Sequence, residues 1–404
     1  MMYRENNKLL TYNLVASLSG SLAAPFMAVY FYEVVGGSFF LMGIVNYAPM
    51  ILSVILGLVW ARISDSKGLR KWFIVLSSAT GIAATLALSF ATSFDQLLAI
   101  RLLGAVTGSA GGASFSALFA KTFKKKRGRS LGLFDVLGLA GSFMGNLLSG
   151  YLYAELGFRT VLRIVALLNL VPLAIIASIR EEREPSRPLT FKALVQKPSI
   201  PRRFWNLYAS RLLITLPSAL GGGIISVYFL KYLGGTPQLW STVAAVNTVT
   251  GLSSYLYGRL ADKFSVRQMF TLAGLGWTAL YTGYFLAPNP YVFAAILAVP
   301  VWPAFWVAYR KALMDISDET ERATFFATES LLTTIYGSLL GIAASFIADV
   351  FTPRLLFLIS AAAAATATLA IQKLLSHEPS LASVKPRIAV KPRLPLATVK
   401  ARRR

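Results

Sequence analysis

The sequence predicts an all-α polytopic membrane protein, with twelve transmembrane helices in two six-helix repeats related by a pseudo-twofold axis along the membrane normal. Three observations lead there. The 404 residues are 55% hydrophobic and only 14% charged, with a mean hydropathy of +0.60, whereas a water-soluble chain of this length carries far more surface charge. Crossing a hydrocarbon core of about 30 Å takes roughly 20 apolar residues, and twelve such stretches begin near residues 10, 41, 72, 97, 130, 160, 204, 238, 268, 291, 323 and 354. Finally, three segments of the first half recur in the second at nearly one offset.

The first stretch is too long for a cleaved signal peptide, and no small-residue cleavage site precedes a soluble domain. It ends in VYFYEVVGGS (Val29 to Ser38), which recurs after the seventh stretch as VYFLKYLGGT (Val227 to Thr236), 198 residues on. The second runs into ARISDSKGLRK (Ala61 to Lys71), matched after the eighth by GRLADKFSVRQ (Gly258 to Gln268), 197 residues on. The third and fourth follow closely, and the fourth contains RLLGAVTG. The fifth reads GLFDVLGLAGSFMGNLLSG and closes with YLYAELGFR (Tyr151 to Arg159), echoed after the eleventh by FIADVFTPR (Phe346 to Arg354), 195 residues on. Each match occupies the same place in a six-helix count, so the two halves share one orientation. The tenth carries VPVWPAFWVAY, whose prolines Pro300 and Pro303 predict a kink. The organisation that follows is an N-terminal bundle (1–179), a polar central loop (180–203), a C-terminal bundle (204–376) and a basic, disordered cytoplasmic tail (377–404).

A cytoplasmic N-terminus places 34 of the 40 Lys and Arg on the inside, and the flipped topology reverses the bias. Both termini are therefore expected in the cytoplasm of a multi-pass cell-membrane protein. The net charge of +23 then belongs to loops facing an anionic leaflet, which removes its support for nucleic-acid binding. There is no Cys and a single His, His377, so Cys/His metal sites and His-assisted nucleophiles are excluded. No Gly-Lys-Ser/Thr phosphate loop occurs. The expectation is a non-enzyme without cofactor or metal.

On the loop motifs, the chain resembles the major facilitator superfamily of secondary transporters over everything before the tail. The superfamily's G-x-x-x-D-R/K-x-G-x-R/K-R/K loop reads here as Ala61, Asp65, Ser66, Gly68, Arg70 and Lys71. Its second copy keeps Gly258, Asp262, Lys263 and Arg267 but has Ser265 for Gly. An Asp at a helix end accepts hydrogen bonds from the free N–H groups starting a neighbouring helix, and the resemblance implies that this neighbour belongs to the opposite half. Asp65 is thus expected near Arg322 and Thr324, and Asp262 near Arg129 and Ser130, closing an inner gate. In helix 5, Gly132, Gly141, Gly145 and Gly150 keep the glycine spacing of the antiporter subset, with Asn146 in place of its Pro; intramembrane packing explains the same glycines. Arg101 in helix 4 resembles the family Arg implied in proton coupling, though it lies close enough to the outer end to snorkel.

Helices 1, 4, 7 and 10 line the central cavity in this superfamily, which makes Asn13, Arg101 and Arg211 its polar candidates. Trp302, Trp306 and Tyr309, at i, i+4 and i+7, supply either an aromatic ligand wall or packing. Glu33 and Lys231 hold the same repeat position with opposite charge and are expected to meet as an outer latch. Asp135 and Glu329 align to within one residue near the inner ends of helices 5 and 11, and are expected to be proton-sensitive. These features point to alternating-access movement of a small organic solute, with proton-coupled efflux of an amphipathic compound favoured. Arg101 and Arg211 leave open symport or uniport of an organic anion or sugar-like solute. A transporter-like receptor or lipid-handling protein without net transport is the reading from another class.

Overall fold

The computed structural model describes residues 2–68, 70–122, 127–179, 181, 200–317 and 319–376. The tail from 377 and most of the central loop lie outside them. In the first half α1 covers 2–34, α2 Phe39–Lys67, α3 Lys71–Leu88, α4 Phe94–Thr122, α5 Arg127–Leu156 and α6 Phe158–Ser178. In the second, α7 covers Arg202–Tyr232, α8 237–263, α9 Val266–Leu286, α10 Pro290–Ile316, α11 Glu319–Val350 and α12 Pro353–Ser376. From α2 on, each begins within four residues of its expected start. Among the described residues, nine are long and apolar enough to cross a membrane; α4, α8 and α9 fall short of that measure. The chain is a multi-pass membrane protein.

Local chemistry sets the helix ends. The Ser38 and Thr236 hydroxyls accept from the backbone N–H of Leu41 and Leu239 at the starts of α2 and α8, satisfying donors that a helix start leaves free. Ser265 and Gln268 form a capping box on α9. At the end of α2, Gly68 takes φ +63°, a backbone setting that side-chain-bearing residues avoid. Pro25 interrupts α1 with a 3₁₀ turn, Ala24–Phe26. The regular helix of α10 stops at Leu297 and resumes at Trp302, as Pro300 and Pro303 require.

The packing repeats. In the first half α5 lies along α1, α6 contacts α1 and α3, and α4 contacts α2 and α3; adding six to every number gives the contacts of the second half. The halves meet along α2 with α11 and along α5 with α8. At the first seam the Ser345 side chain fills the space beside Gly43, and at the second Ser241 fills the space beside Gly150. These are equivalent positions with the glycine and serine exchanged between helices.

Burial separates the two ends of the bundle. At the end remote from the termini, one cluster joins both halves through Phe26, Phe31, Phe39, Phe229, Trp240 and Phe357. At the terminal end there are two separate clusters, one around Phe204, Phe270, Phe305 and Tyr309 and one around Leu9, Ile74, Leu118 and Ile176. The halves are thus welded at the end remote from the termini, the end that the basic residues lead one to expect outside. Apolar side chains left exposed, such as Leu103, Leu167, Leu275 and Leu369, are in keeping with a lipid surround.

Candidate functional site

The strongest polar feature inside the bundle lies between α7 and α11. Arg211 Nε donates to Glu329 Oε1 at 3.1 Å, with the two side chains 16% and 6% exposed. Arg211 Nη1 also donates to Thr215 Oγ1 at 2.9 Å, and Thr333 Oγ1 donates to Glu329 Oε1 at 3.5 Å. The guanidinium sits 4.2 Å from the ring centre of Trp306 on α10, where the ring face attracts it. Tyr309 is buried against Phe305 and Trp306, and its hydroxyl has no hydrogen-bond partner among the described residues. An ion pair so far from water survives because each charge neutralises the other; removing one strands its partner.

Sequence reasoning had placed Arg211, Trp306 and Tyr309 in one group and Glu329 in another. The structure makes them one. Trp302 does not join: it is 39% exposed and packs beside Gly251 of α8, because the α10 interruption leaves it at the start of a new helix.

The equivalent seam of the first half is built differently. Asn13, 198 residues before Arg211, donates from Nδ2 to the Phe134 carbonyl at 2.8 Å and so pins α1 to α5. The α1 backbone lies against Gly141 and Gly145, at Leu14 and Leu18 respectively, so close that a Cβ at either glycine would collide with a carbonyl oxygen. Gly150 does the same at the α8 carbonyl of Pro237. Gly132 has open space where a side chain would stand and is not a packing glycine. Asp135 is exposed. It shares a helix face with Leu139, Ser142 and Asn146, at i+4, i+7 and i+11, and Asn146 donates to Thr248 Oγ1 of α8 at 2.8 Å. Asp135 therefore points into the space between the halves, at the level where they have parted. Arg101 does not approach these acids; it lies over the Phe31 ring at 5.4 Å, and its Nε has no hydrogen-bond partner among the described residues.

Of the expected inner gate, the contact of Asp262 with the start of α5 is not made. Asp262 pairs with Lys311 of α10 in its own half at 3.0 Å, with its side chain 78% exposed. It does not reach the start of α5, where Arg129 is exposed, because the halves are apart at this end. Arg267 Nε donates to Gln372 of α12 at 2.5 Å, and Lys71 Nζ donates to the carbonyls of Ala177 and Ile179 at the end of α6. Both are ties within one half. Lys263 is exposed. The backbone N–H of Arg70 and of Lys71 donate to Glu181, 2.7 Å away at the closest. The side chains of Asp65, Arg322 and Thr324 lie outside the described residues.

The polar ties between the halves gather at the end of the bundle remote from the termini. Lys231 Nζ and Glu33 Oε1 are 2.5 Å apart, and the hydroxyls of Tyr32 and Tyr232 lie 3.2 Å apart. Trp240 Nε1 donates to the Pro25 carbonyl at 2.8 Å. Asp349, at the outer end of α11, accepts from Ser38 Oγ at 2.6 Å and from the N–H groups of Phe39 and Phe40 at 2.7 and 2.9 Å.

The Major Facilitator Superfamily family model matches residues 9–233 and 207–404, which together take in nearly the whole chain. The chain belongs to this superfamily. Among characterised relatives, it is 29% identical over 265 residues to the multidrug resistance protein MdtG of Dickeya zeae, covering 62% of this chain and 64% of that one. It is 28% identical over 271 residues to the multi-drug resistance efflux pump PmrA homolog of Lactococcus lactis, covering 64% and 66%. The chain thus spans a little under two thirds of the length of these relatives. Of solved structures, a bacterial homologue of the iron transporter ferroportin in an inward-facing state superposes with a TM-score of 0.74 at 16% identity, over 93% of this chain and 100% of that one. That likeness shows the major facilitator fold.

Two residues of this superfamily member escaped sequence reasoning. Glu181, just past the end of α6, caps α3, and nothing in its local run of charges distinguishes it. Asp349 was visible in principle: in the FIADVFTPR repeat it stands where the first copy has Ala154, a lone acid at the end of an apolar helix.

Proposed function

We propose that the protein is a secondary active transporter that exports an amphipathic small organic solute by alternating access, coupled to protons. The observation that carries this reading is the buried Arg211–Glu329 pair, walled by Trp306 and Tyr309, in a bundle whose halves part at one end and join at the other. A carboxylate held by a guanidinium in a low-dielectric site has two occupants to exchange, a proton and the pairing cation. When Glu329 takes a proton, Arg211 is released to Thr215 and Trp306; when the proton leaves, the pair re-forms. A solute with an apolar body and a polar tip fits the aromatic wall beside that switch. Asp135, in the same inter-half space, is proposed as a second proton-sensitive group nearer the inner mouth. Asn13 and Arg101 are assigned to holding α1 and α4, and Glu33 with Lys231 to the outer latch.

In this reading both termini are cytoplasmic, the basic inner surface faces an anionic leaflet, and nucleic acid is not a partner. The test is solute-driven proton movement in liposomes carrying the purified protein. Cationic, neutral and anionic amphiphiles are compared, and Glu329→Gln should abolish proton flux. Solute binding with no proton movement for any member of the panel would replace this reading with that of a receptor.

A further inference from the structure

The two outer edges where the halves meet are related by the pseudo-twofold axis but are not chemically alike. At the α2–α11 edge, the start of α2 offers Ser38 and two free N–H groups, and Asp349 takes all three. The equivalent α5–α8 edge lacks the acid and one of the three donors. Ala154 stands where the acid would be, 195 residues before Asp349. Pro237, at the first position of α8, has no N–H to give where Phe39 has one. Thr236 caps its own helix by accepting from Leu239, as Ser38 does from Leu41, and with Ala154 opposite it has no acid to donate to.

What holds the α5–α8 edge is neutral and close. The α8 carbonyl of Pro237 abuts Gly150 and Asn146 donates to Thr248 at 2.8 Å, while beside this edge Trp240 of α8 reaches the Pro25 carbonyl of α1. These contacts are backbone approach and buried hydrogen bonds, which water does not replace without loss. Asp349, by contrast, is exposed at the rim. Three donors directed at one carboxylate make a strong tie, yet water at the rim can take over both the acid and the helix N-terminus when they separate. The edge is firm when shut and cheap to hydrate when open.

We infer that Asp349 is the positioning residue that keeps the outer gate shut, and that the gate opens at the α2–α11 edge when α2 leaves it, with the α5–α8 edge staying closed as the pivot. This rests on the alternating-access reading, but the test below needs no transported solute.

The chain has no cysteine, and the exchanged glycine–serine contacts supply matched reporters. Ser345 and Ser241 are both fully buried, each against a glycine of the opposite half, one at either edge. Ser345→Cys and Ser241→Cys are labelled from outside in membranes by a membrane-impermeant maleimide. Adding Asp349→Ala should raise the labelling rate at position 345 by about tenfold or more, as loss of charge-assisted ties predicts, and change position 241 by less than about twofold. Equal acceleration at both positions would overturn the pivot, and no acceleration at either would overturn the lock. Asp349→Asn, which keeps the shape of the acid, serves if the alanine variant fails to insert. The two cysteines are also compared with Asp349 intact while an outward proton gradient is imposed. Faster labelling at 345 than at 241 agrees with the inference, and equal labelling contradicts it irrespective of any Asp349 variant.

Discussion

Helices α1 and α5 meet at a row of glycines and one asparagine; α7 and α11, laid out on the same plan, meet at a buried ion pair. The first seam sets the α1 backbone against Gly141 and Gly145, and Asn13 ties a side chain to a carbonyl. The second keeps its helices apart enough to seat Arg211, Glu329 and an aromatic wall. Duplication supplies a frame twice. One copy can then serve as a rigid brace while the other carries charge, because the brace keeps the bundle folded around a costly polar site.

The comparison breaks most easily at the ion pair. Glu329→Gln is expected to lower proton-coupled transport by about a hundredfold, since it leaves Arg211 buried without a counter-charge; transport into inverted vesicles measures it. If Arg211→Gln with Glu329→Gln restored protein abundance but not transport, the pair's role would be functional and not merely structural. The next largest effect should fall on stability. Gly145→Leu forces α1 off α5 and is expected to cost about 1–3 kcal/mol or more, read as a lowered melting temperature in detergent, with Gly141→Leu alike. Asn13→Ala should cost about 1 kcal/mol through one lost hydrogen bond and change transport little; a loss as large as that from Glu329→Gln would erase the distinction between the seams. Asp135→Asn is expected to shift the pH dependence of transport while leaving the melting temperature within about 1 °C, as for an exposed side chain. The smallest effect belongs to Gly132→Ala, at an open helix position, where stability should hold or rise by a few tenths of a kcal/mol.

The fold was legible because its determinants are local or repeated. Twelve apolar stretches, a glycine-closed turn at Gly68 and a repeated loop placed every helix from α2 on within a few residues. The site was legible only in its members. Arg211 and Glu329 are 118 positions apart, and the repeat alignment pointed Glu329 towards Asp135, its counterpart, and away from Arg211, its partner. The inner-gate expectation for Asp262 assumed a closed inner end; which end of a two-state bundle is shut is a balance between long-range contacts that no local pattern encodes. The same chemistry, an Asp at one helix end serving the N–H groups of another, does occur, but at Asp349 and the outer start of α2.

The exchange of Gly43 with Ser345 and of Gly150 with Ser241 also settles which partners each half will accept. Two copies of the first half brought together about the axis would face glycine with glycine at both edges, where the backbones could approach more closely than they do here. Two copies of the second would face serine with serine in a space that holds one. Glycine of one half against serine of the other fills both edges, so the halves meet as complementary, unlike surfaces. The repeated plan of helix contacts persists while the faces that meet have become unlike.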